Sequence, residues 1–409
     1  VIILVDEYDT PISSAYQYAT QPFRAGDPDT YYAKVIEFLR TFLGAAYKGN
    51  KSLKKGLLTG ITRVGKESIF SDWNNFNVYP VTSAYFSDKF GFTQDETREM
   101  LAYFGMQDSY ADVERWYNGY RFGQTGSIYN PWSVVNYVAR SADGLQPYWV
   151  NTSSDALIRD RITEPGVGRT IQTLLEGDEV AKPIKENFVF ADFDTQKELL
   201  WTLLLYSGYL TQTGQKGMER YGLRIPNYEI TFVFKNIILD WAGSVYRVNQ
   251  ELLLEASQDL VNNRLAEFEA GFRQIMGDTL SYFDLGHKPE KIYHVYMLGL
   301  LAILTDDYIL RSNRESGTGR YDILLLPRNK AGYGVVIELK QTHPAGAEDS
   351  AAHARHINEK LAEARQQITQ KKYYRELLDH GIPQEKIVMA PIVFAGKTPY
   401  VLPLPESQG

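Results

Sequence analysis

An α/β protein of more than one domain is what this sequence predicts, and three stretches carry that reading. The chain opens on VIILV, an apolar run rich in β-branched residues that stops at Asp6 and Glu7; such a run reads as a buried parallel strand ending at a site. From Tyr148 to about Leu280 the pattern is predominantly helical. Near the C-terminus, Tyr321 to Leu326 and Gly334 to Leu339 read as two strands joined by a turn rich in Pro, Asn, Lys and Gly, which makes a β-hairpin.

Composition sets the outer bounds. With 409 residues, two or three domains are expected. Hydrophobic residues at 44% and aromatics at 13% exclude a disordered chain. Cysteine is absent, which excludes disulfides and thiolate metal sites and fits a reducing cytoplasm. The longest apolar runs, VIILV and Met297 to Leu304, are too short to cross a bilayer, and no basic segment precedes the first; the expectation is a soluble, cytoplasmic protein with no membrane partner. A net charge of -7 argues against a uniformly basic coat for nucleic acid. Between Arg311 and Arg375, however, 12 Lys and Arg face 7 Asp and Glu, so a phosphate backbone is a permitted partner there.

The opening VIILVDEYDTPI resembles the Walker B strand of an AAA-ATPase-like family. That resemblance implies that Asp6 holds the Mg²⁺ of a bound nucleotide and that Glu7 polarises the attacking water; a core strand running into an acidic loop is the plainer reading. Gly60 to Glu67 nearly spells a phosphate-binding loop, but Glu67 stands where a hydroxyl is needed and would oppose the phosphates, and that loop normally precedes the Walker B strand. KKGLLTGITRVGKESIFSDWNNF instead resembles the family's next strand, with Thr59 at the sensor position and Arg63 beyond it. The expectation is a partial P-loop NTPase sheet over 1–147 without its Walker A, which binds ATP only with the other half present and does not hydrolyse it alone.

Between these strands Asp27 to Ala46 reads as a helix, with Tyr32, Val35, Ile36, Phe38 and Leu39 on its apolar side. A capped helix start falls at Thr93. ERWYNGYRFGQTGSIYNPWSVVNYV is an aromatic-rich segment, read as packing or as a stacking surface for a base or sugar. In the middle region, 148–280, a helix through Trp201 to Tyr206 leads into strands at Tyr209 to Thr213 and Tyr221 to Ile225. Helix followed by hairpin suggests a winged-helix-like module that joins domains, since the segment is not basic.

The C-terminal region, 281–409, reads as a helix opening at Pro289, a strand YILRSNRE, the hairpin, a helix from Asn358 to Leu378 and a closing strand KIVMAPIVFAG. Strand alternation puts Glu338 and Lys340 on one side with Leu339 on the other, and a pairing that sets Asp322 across from Glu338 would gather two carboxylates and an ammonium. Two carboxylates suit Mg²⁺ or Mn²⁺, and the ammonium suits a developing negative charge; solvated charges at the ends of an ordinary hairpin are the plain alternative. Asp322 followed by Glu338-Leu339-Lys340, within NRESGTGRYDILLLP…GVVIELK, resembles the D…E-x-K signature of the PD-(D/E)XK nuclease superfamily, in the branch attached to bacterial and archaeal AAA-ATPase-like proteins. Tyr321 stands where many members have Pro. The resemblance implies a restriction-endonuclease-like αβββαβ core in which Asp322 and Glu338 bind metal, the Leu339 carbonyl is a third ligand and Lys340 is the catalytic lysine. It also implies a metal-site role for Glu290, whose alternative is a solvated acid at a helix N-terminus, and a catalytic role for Gln367. Gln367 and Tyr373 resemble the family's Q…Y helix, although Gln370 with Tyr374 matches the Q-x-x-x-Y spacing more literally; Gln367 is preferred because it adjoins the apolar stripe of Leu361, Ala364 and Ile368, from which Gln370 points away. His294 reads as a helix-packing residue. The function implied is metal-dependent hydrolysis of nucleic acid, DNA favoured over RNA, coupled to an AAA-like NTPase region. The alternative is a binding or regulatory protein whose two enzyme-like regions are inactive.

Overall fold

The computed structural model describes residues 1–17, 30–61, 76–149, 166–186, 196–246, 249–279, 303–304, 306–312, 315–316, 319–320, 322–342, 350–396 and 398–404. Two compact units make up the chain: Val1–Arg161 with Glu179–Thr231, and Ile162–Asp178 with Phe232–Gly409. The stretch 148–280, read from sequence as one middle region, is thus shared between them.

In the first unit, strands β1 (Ile2–Val5) and β2 (Lys55–Leu58) pair in parallel, Ile2 opposite Lys55 and Val5 opposite Leu58. Parallel neighbours require a crossover, and helices α1 (Thr10–Gln17) and α2 (Tyr31–Tyr47) lie along it. Helix α2 starts at Thr30, whose side chain accepts from Ala33 N at 3.1 Å. It buries Tyr32, Ile36, Leu39, Leu43 and Tyr47, spaced at helical intervals, against Tyr8, Ile12 and the partly buried Ile3 and Val5. Phe38, read from sequence as core-facing, is 64% exposed and stacks on Phe42 at 5.8 Å. The two positions fall outside the stripe that the spacing of Tyr32, Ile36 and Leu39 defines. Ile2 and Leu4 are likewise exposed, so β1 is covered on one face among the described residues and not on two.

Further along, α3 (Gln94–Tyr103) carries the capping box predicted at Thr93, with Glu96 N donating to Thr93 Oγ1 at 3.3 Å and Thr93 N to Glu96 Oε2 at 2.8 Å. Thr93→Ala removes one half of that reciprocal pair; an expected loss of about 1 kcal/mol is readable by chemical denaturation. Helix α4 (Tyr110–Tyr117), the hairpin β3 (Tyr120–Phe122) with β4 (Thr125–Ile128), and helix α5 (Pro131–Ala139) hold the aromatic-rich segment. Tyr117, Tyr120, Tyr129 and Tyr137 are buried there, which is the packing reading. Helix α6 (Leu199–Tyr206) leads into β6 (Thr211–Gly217) and β7 (Arg220–Arg224) as the sequence suggests, an upstream strand, β5 (Val180–Pro183), pairs with β7 on its other edge, and helix α7 (Tyr228–Tyr246) follows.

The second unit is built on a five-stranded mixed sheet. Its strands are β8 (Tyr308–Ser312), β9 (Ile323–Pro327), β10 (Gly334–Thr342), β11 (Ile387–Ala395) and β12 (Thr398–Tyr400), side by side in the order β12-β11-β10-β9-β8. Only β10 and β11 run parallel. Alternation divides the apolar side chains cleanly. Ile323, Leu325, Val335, Ile337, Ala390, Ile392 and Phe394 belong to one core, which includes Leu253, Leu260, Phe268, Phe272 and Met276 from helices α8 (Gln250–Val261) and α9 (Leu265–Thr279). The helix predicted at Pro289, with Glu290 and His294, lies outside the described residues, and the cover described on this face comes from helices that the sequence reading placed in the middle region.

The opposite face meets α10 (Ser350–Gln370) and α11 (Arg375–Asp379): Leu324, Leu326 and Val336 pack with Ile368, Tyr373, Leu377 and Ile382, and Val393 and Ala395 with Ile357 and Leu361. The predicted single helix Asn358 to Leu378 is corrected at both ends. It starts eight residues earlier, where alanines favour helix and Ile357 reaches the core. It then breaks at Lys372, whose φ is 53°. There Tyr373 N donates to Ile368 O at 3.1 Å and Lys372 N to Thr369 O at 3.3 Å, the two bonds of a Schellman ending, with Lys in the left-handed position that usually takes Gly. Tyr373 and Ile368 close the turn by packing together in one core.

Candidate metal-dependent hydrolytic site

Pairing of β9 with β10 sets Ile323 opposite Ile337 and Leu324 opposite Val336. One further step along that register brings Asp322 beside Glu338. Glu338 and Lys340 share the sheet face of Val336, the face that α10 covers, and Glu338 is only 3% exposed. Leu339 points the other way, partly buried against the α8 and α9 core, and its backbone N–H donates to Asp322 Oδ2 at 2.7 Å. The structure therefore brings Asp322, Glu338 and Lys340 onto one face of a mixed sheet.

Lys340 joins the strand to the helix. Its ammonium donates to Glu338 Oε1 at 3.2 Å and to Gln367 Oε1 at 2.7 Å. Gln367 in turn donates from Nε2 to the buried Tyr373 hydroxyl at 3.0 Å. The choice of Gln367 over Gln370 follows the helix face: Gln370 is exposed while Gln367 adjoins the stripe of Leu361, Ala364 and Ile368.

Electrostatics at the site favour a cation. Burial pushes the Glu338 carboxyl up to about 7, the Asp322 carboxylate adds to the rise, and the Lys340 and Lys371 ammonium groups oppose it. Burial also raises the Asp322 carboxyl, against the pull of the Leu339 N–H and Lys340. Glu338 Oε2 is buried with no hydrogen-bond partner among the described residues. Two carboxylates that repel each other, one with an orphaned oxygen, fit a hard divalent ion that takes oxygen ligands and keeps several waters. Among the described residues no third acid or imidazole joins them.

The Glu338 shift has a consequence for stability. In metal-free protein the folded state holds the Glu338 proton at pH values where the unfolded chain has lost it, between the ordinary 4.5 and about 7. Stability is therefore fully present below 4.5 and falls as pH rises to about 7. Glu338→Gln is expected to remove that fall and to stabilise the protein in EDTA at pH 8 by on the order of 3 kcal/mol. Thermal denaturation of both proteins at pH 5 and pH 8 measures it.

The first unit brings a second set of predicted residues together. At the C-terminal ends of β1 and β2, Asp6 Oδ1 accepts from the Thr59 hydroxyl and, at 3.0 Å, from Glu7 N. Glu7 has φ 50° and accepts from Thr10 Oγ1 at 3.2 Å. A non-Gly residue held in the left-handed region is strained, as is common at functional sites. Arg63 lies outside the described residues.

This geometry can be set beside known proteins. Residues 288–402 match the PD-(D/E)XK nuclease superfamily. Residues 1–70 match the family described as Predicted AAA-ATPase. The two-part architecture expected from the resemblance, an AAA-ATPase-like region followed by a PD-(D/E)XK nuclease-like one, is the one these matches give. The chain is also 28% identical over 234 residues to an "Uncharacterized protein in vnfD 5'region" of Azotobacter chroococcum mcd 1, a match covering 56% of this chain and 41% of the relative. The chain thus spans about two fifths of that relative's length. Among the described residues no helix is long and apolar enough to cross a membrane.

Proposed function

We propose that this protein is a divalent-metal-dependent nuclease, acting through the segment 281–409 and favouring DNA over RNA. The observation that carries the reading is the bond chain from Glu338 through Lys340 to Gln367, formed on the same face as Asp322. Asp322 and Glu338 would hold Mg²⁺ or Mn²⁺, with the Leu339 carbonyl and Glu290 as further ligands. Such an ion supplies a water of lowered pKa and neutralises charge on the scissile phosphate. Lys340 does the remaining electrostatic work. Two of its three N–H groups are held by Glu338 and Gln367, so its third is aimed and free to steady the attacking water or the charge that develops on phosphate oxygen. Gln367 positions that ammonium, and the buried Tyr373 fixes Gln367.

In the region 1–147 we place nucleotide at Asp6, Glu7, Thr59 and Arg63 wherever a phosphate-binding loop joins them, and we place the whole protein in the cytoplasm. The middle region, 148–280, would join the two. A degenerate, purely binding protein is the weaker reading, because Asp322, Glu338, Lys340 and Gln367 are each present and bonded into one patch. The test is direct. Purified protein is incubated with single- and double-stranded DNA and RNA, with Mn²⁺ and with EDTA. Cleavage of DNA that EDTA abolishes is expected; intact substrates in every Mn²⁺ arm would sink the proposal.

A further inference from the structure

The carboxylate and lysine patch does not match the charge of a polynucleotide. Lys340 compensates Glu338 and is tied to Gln367, and with both carboxylates ionised the three groups sum to one negative charge. A bound divalent ion answers the scissile phosphate alone. Every flanking phosphate brings a further negative charge, which needs a cation from elsewhere on the same face.

Lys371 is placed for that role. Its backbone N–H bonds to the Gln367 carbonyl at 3.1 Å, so it continues the Gln367 side of α10 by one turn. It is exposed and has no ion pair among the described residues. Its charge reaches Glu338, whose carboxyl it pulls down. The turn that carries it is held firmly: Lys372 at φ 53° ends the helix, and Tyr373 behind it is fully buried and bonded by Gln367. Gln367 therefore anchors Lys340 from one end of its amide and the Lys371 turn from the other. A rigid mount for a solvent-facing lysine one helical turn from Gln367, which itself holds Lys340, is what a backbone phosphate contact requires.

We infer that Lys371 is a phosphate-binding residue of this site, holding a backbone phosphate beside the scissile one. The inference rests on the nuclease reading of the same site. Its test compares wild type, Lys371→Ala and Lys371→Arg on two substrates, a DNA duplex and bis-p-nitrophenyl phosphate, which has no flanking phosphate. Binding to the duplex is measured over a salt series with Ca²⁺ in place of Mg²⁺. With the assays run at pH 9, where Glu338 is ionised with or without Lys371, the expected results for Lys371→Ala are about fivefold weaker duplex binding, a salt slope shallower by about 0.9, a raised KM for duplex and an unchanged rate on the small diester. Lys371→Arg restores the slope. Equal binding and slope in wild type and Lys371→Ala overturn this inference and leave the nuclease reading standing; so does an equal loss on both substrates. Wild-type protein that neither binds nor cleaves nucleic acid overturns both.

Discussion

Glu338→Ala is expected to lose metal-dependent cleavage by on the order of 10³-fold and to lose Mn²⁺ binding with it. Glu338 carries the orphaned oxygen and a proton affinity raised by burial. Both mark a carboxylate that Lys340 satisfies at one oxygen only, leaving the other for a second cation. Asp322→Ala should give the same two losses by a different route. It deletes a ligand and frees the Leu339 N–H, yet it also removes the repulsion that helps raise Glu338. Glu338→Ala should not be less stable than wild type in EDTA, because it removes charge from a crowded buried pair, whereas Asp322→Ala also strips the acceptor from the Leu339 N–H and should lose about 1 kcal/mol of that gain. Calorimetric titration with Mn²⁺ beside a cleavage assay reads both quantities. Metal-dependent cleavage that persists undiminished in Glu338→Ala would end the assignment.

The apparent affinity for that ion should itself depend on pH. Metal and proton compete for Glu338, whose carboxyl sits at about 7, so binding strengthens as pH rises toward 7 and levels off above it. The geometry behind this was legible in part from the sequence. Alternation along β10 puts Glu338 and Lys340 on one face, and the Pro, Asn and Gly turn sets the hairpin register that aligns Asp322. Helical spacing from Leu361 to Ile368 points Gln367 inward. What was not legible depends on long-range packing or on a rule broken locally. An amphipathic helix shows that it has a partner without showing which one, so nothing in α8 or α9 announces the sheet they cover. The break after α10 is silent because Lys372 occupies a left-handed position without the Gly or Asn that would signal it. The i,i+4 spacing of Gln367 and Lys371 lies within the predicted helix, but that Gln367 bonds Lys340 and the buried Tyr373, which gives the spacing its meaning, shows only in the packed structure.

Lys340→Ala separates chemistry from metal binding, and its expected effect rivals that of Glu338→Ala. Lys340 sits in the line from Glu338 to Gln367 and donates to both. In the proposed site, removing it takes away the ammonium that steadies charge on the reacting phosphate, an expected loss of on the order of 10²- to 10³-fold in kcat. Calorimetry at pH 8.5 should find Mn²⁺ affinity kept or slightly raised, since a nearby positive charge is gone while both carboxylates remain. The sign of the pH effect follows from the same bond. Lys340 holds the Glu338 carboxyl down by hydrogen bond and by charge, so without it the carboxyl titrates higher. The acidic limb of the activity profile, which requires ionised Glu338, should therefore shift to higher pH in Lys340→Ala. Lys340→Arg keeps the positive charge, so the limb should stay near its wild-type position, while the altered shape of the fork leaves the rate low. Lys340→Ala with a shifted acidic limb and wild-type kcat at high pH would show that Lys340 only balances the buried charge of Glu338 and takes no part in the reaction.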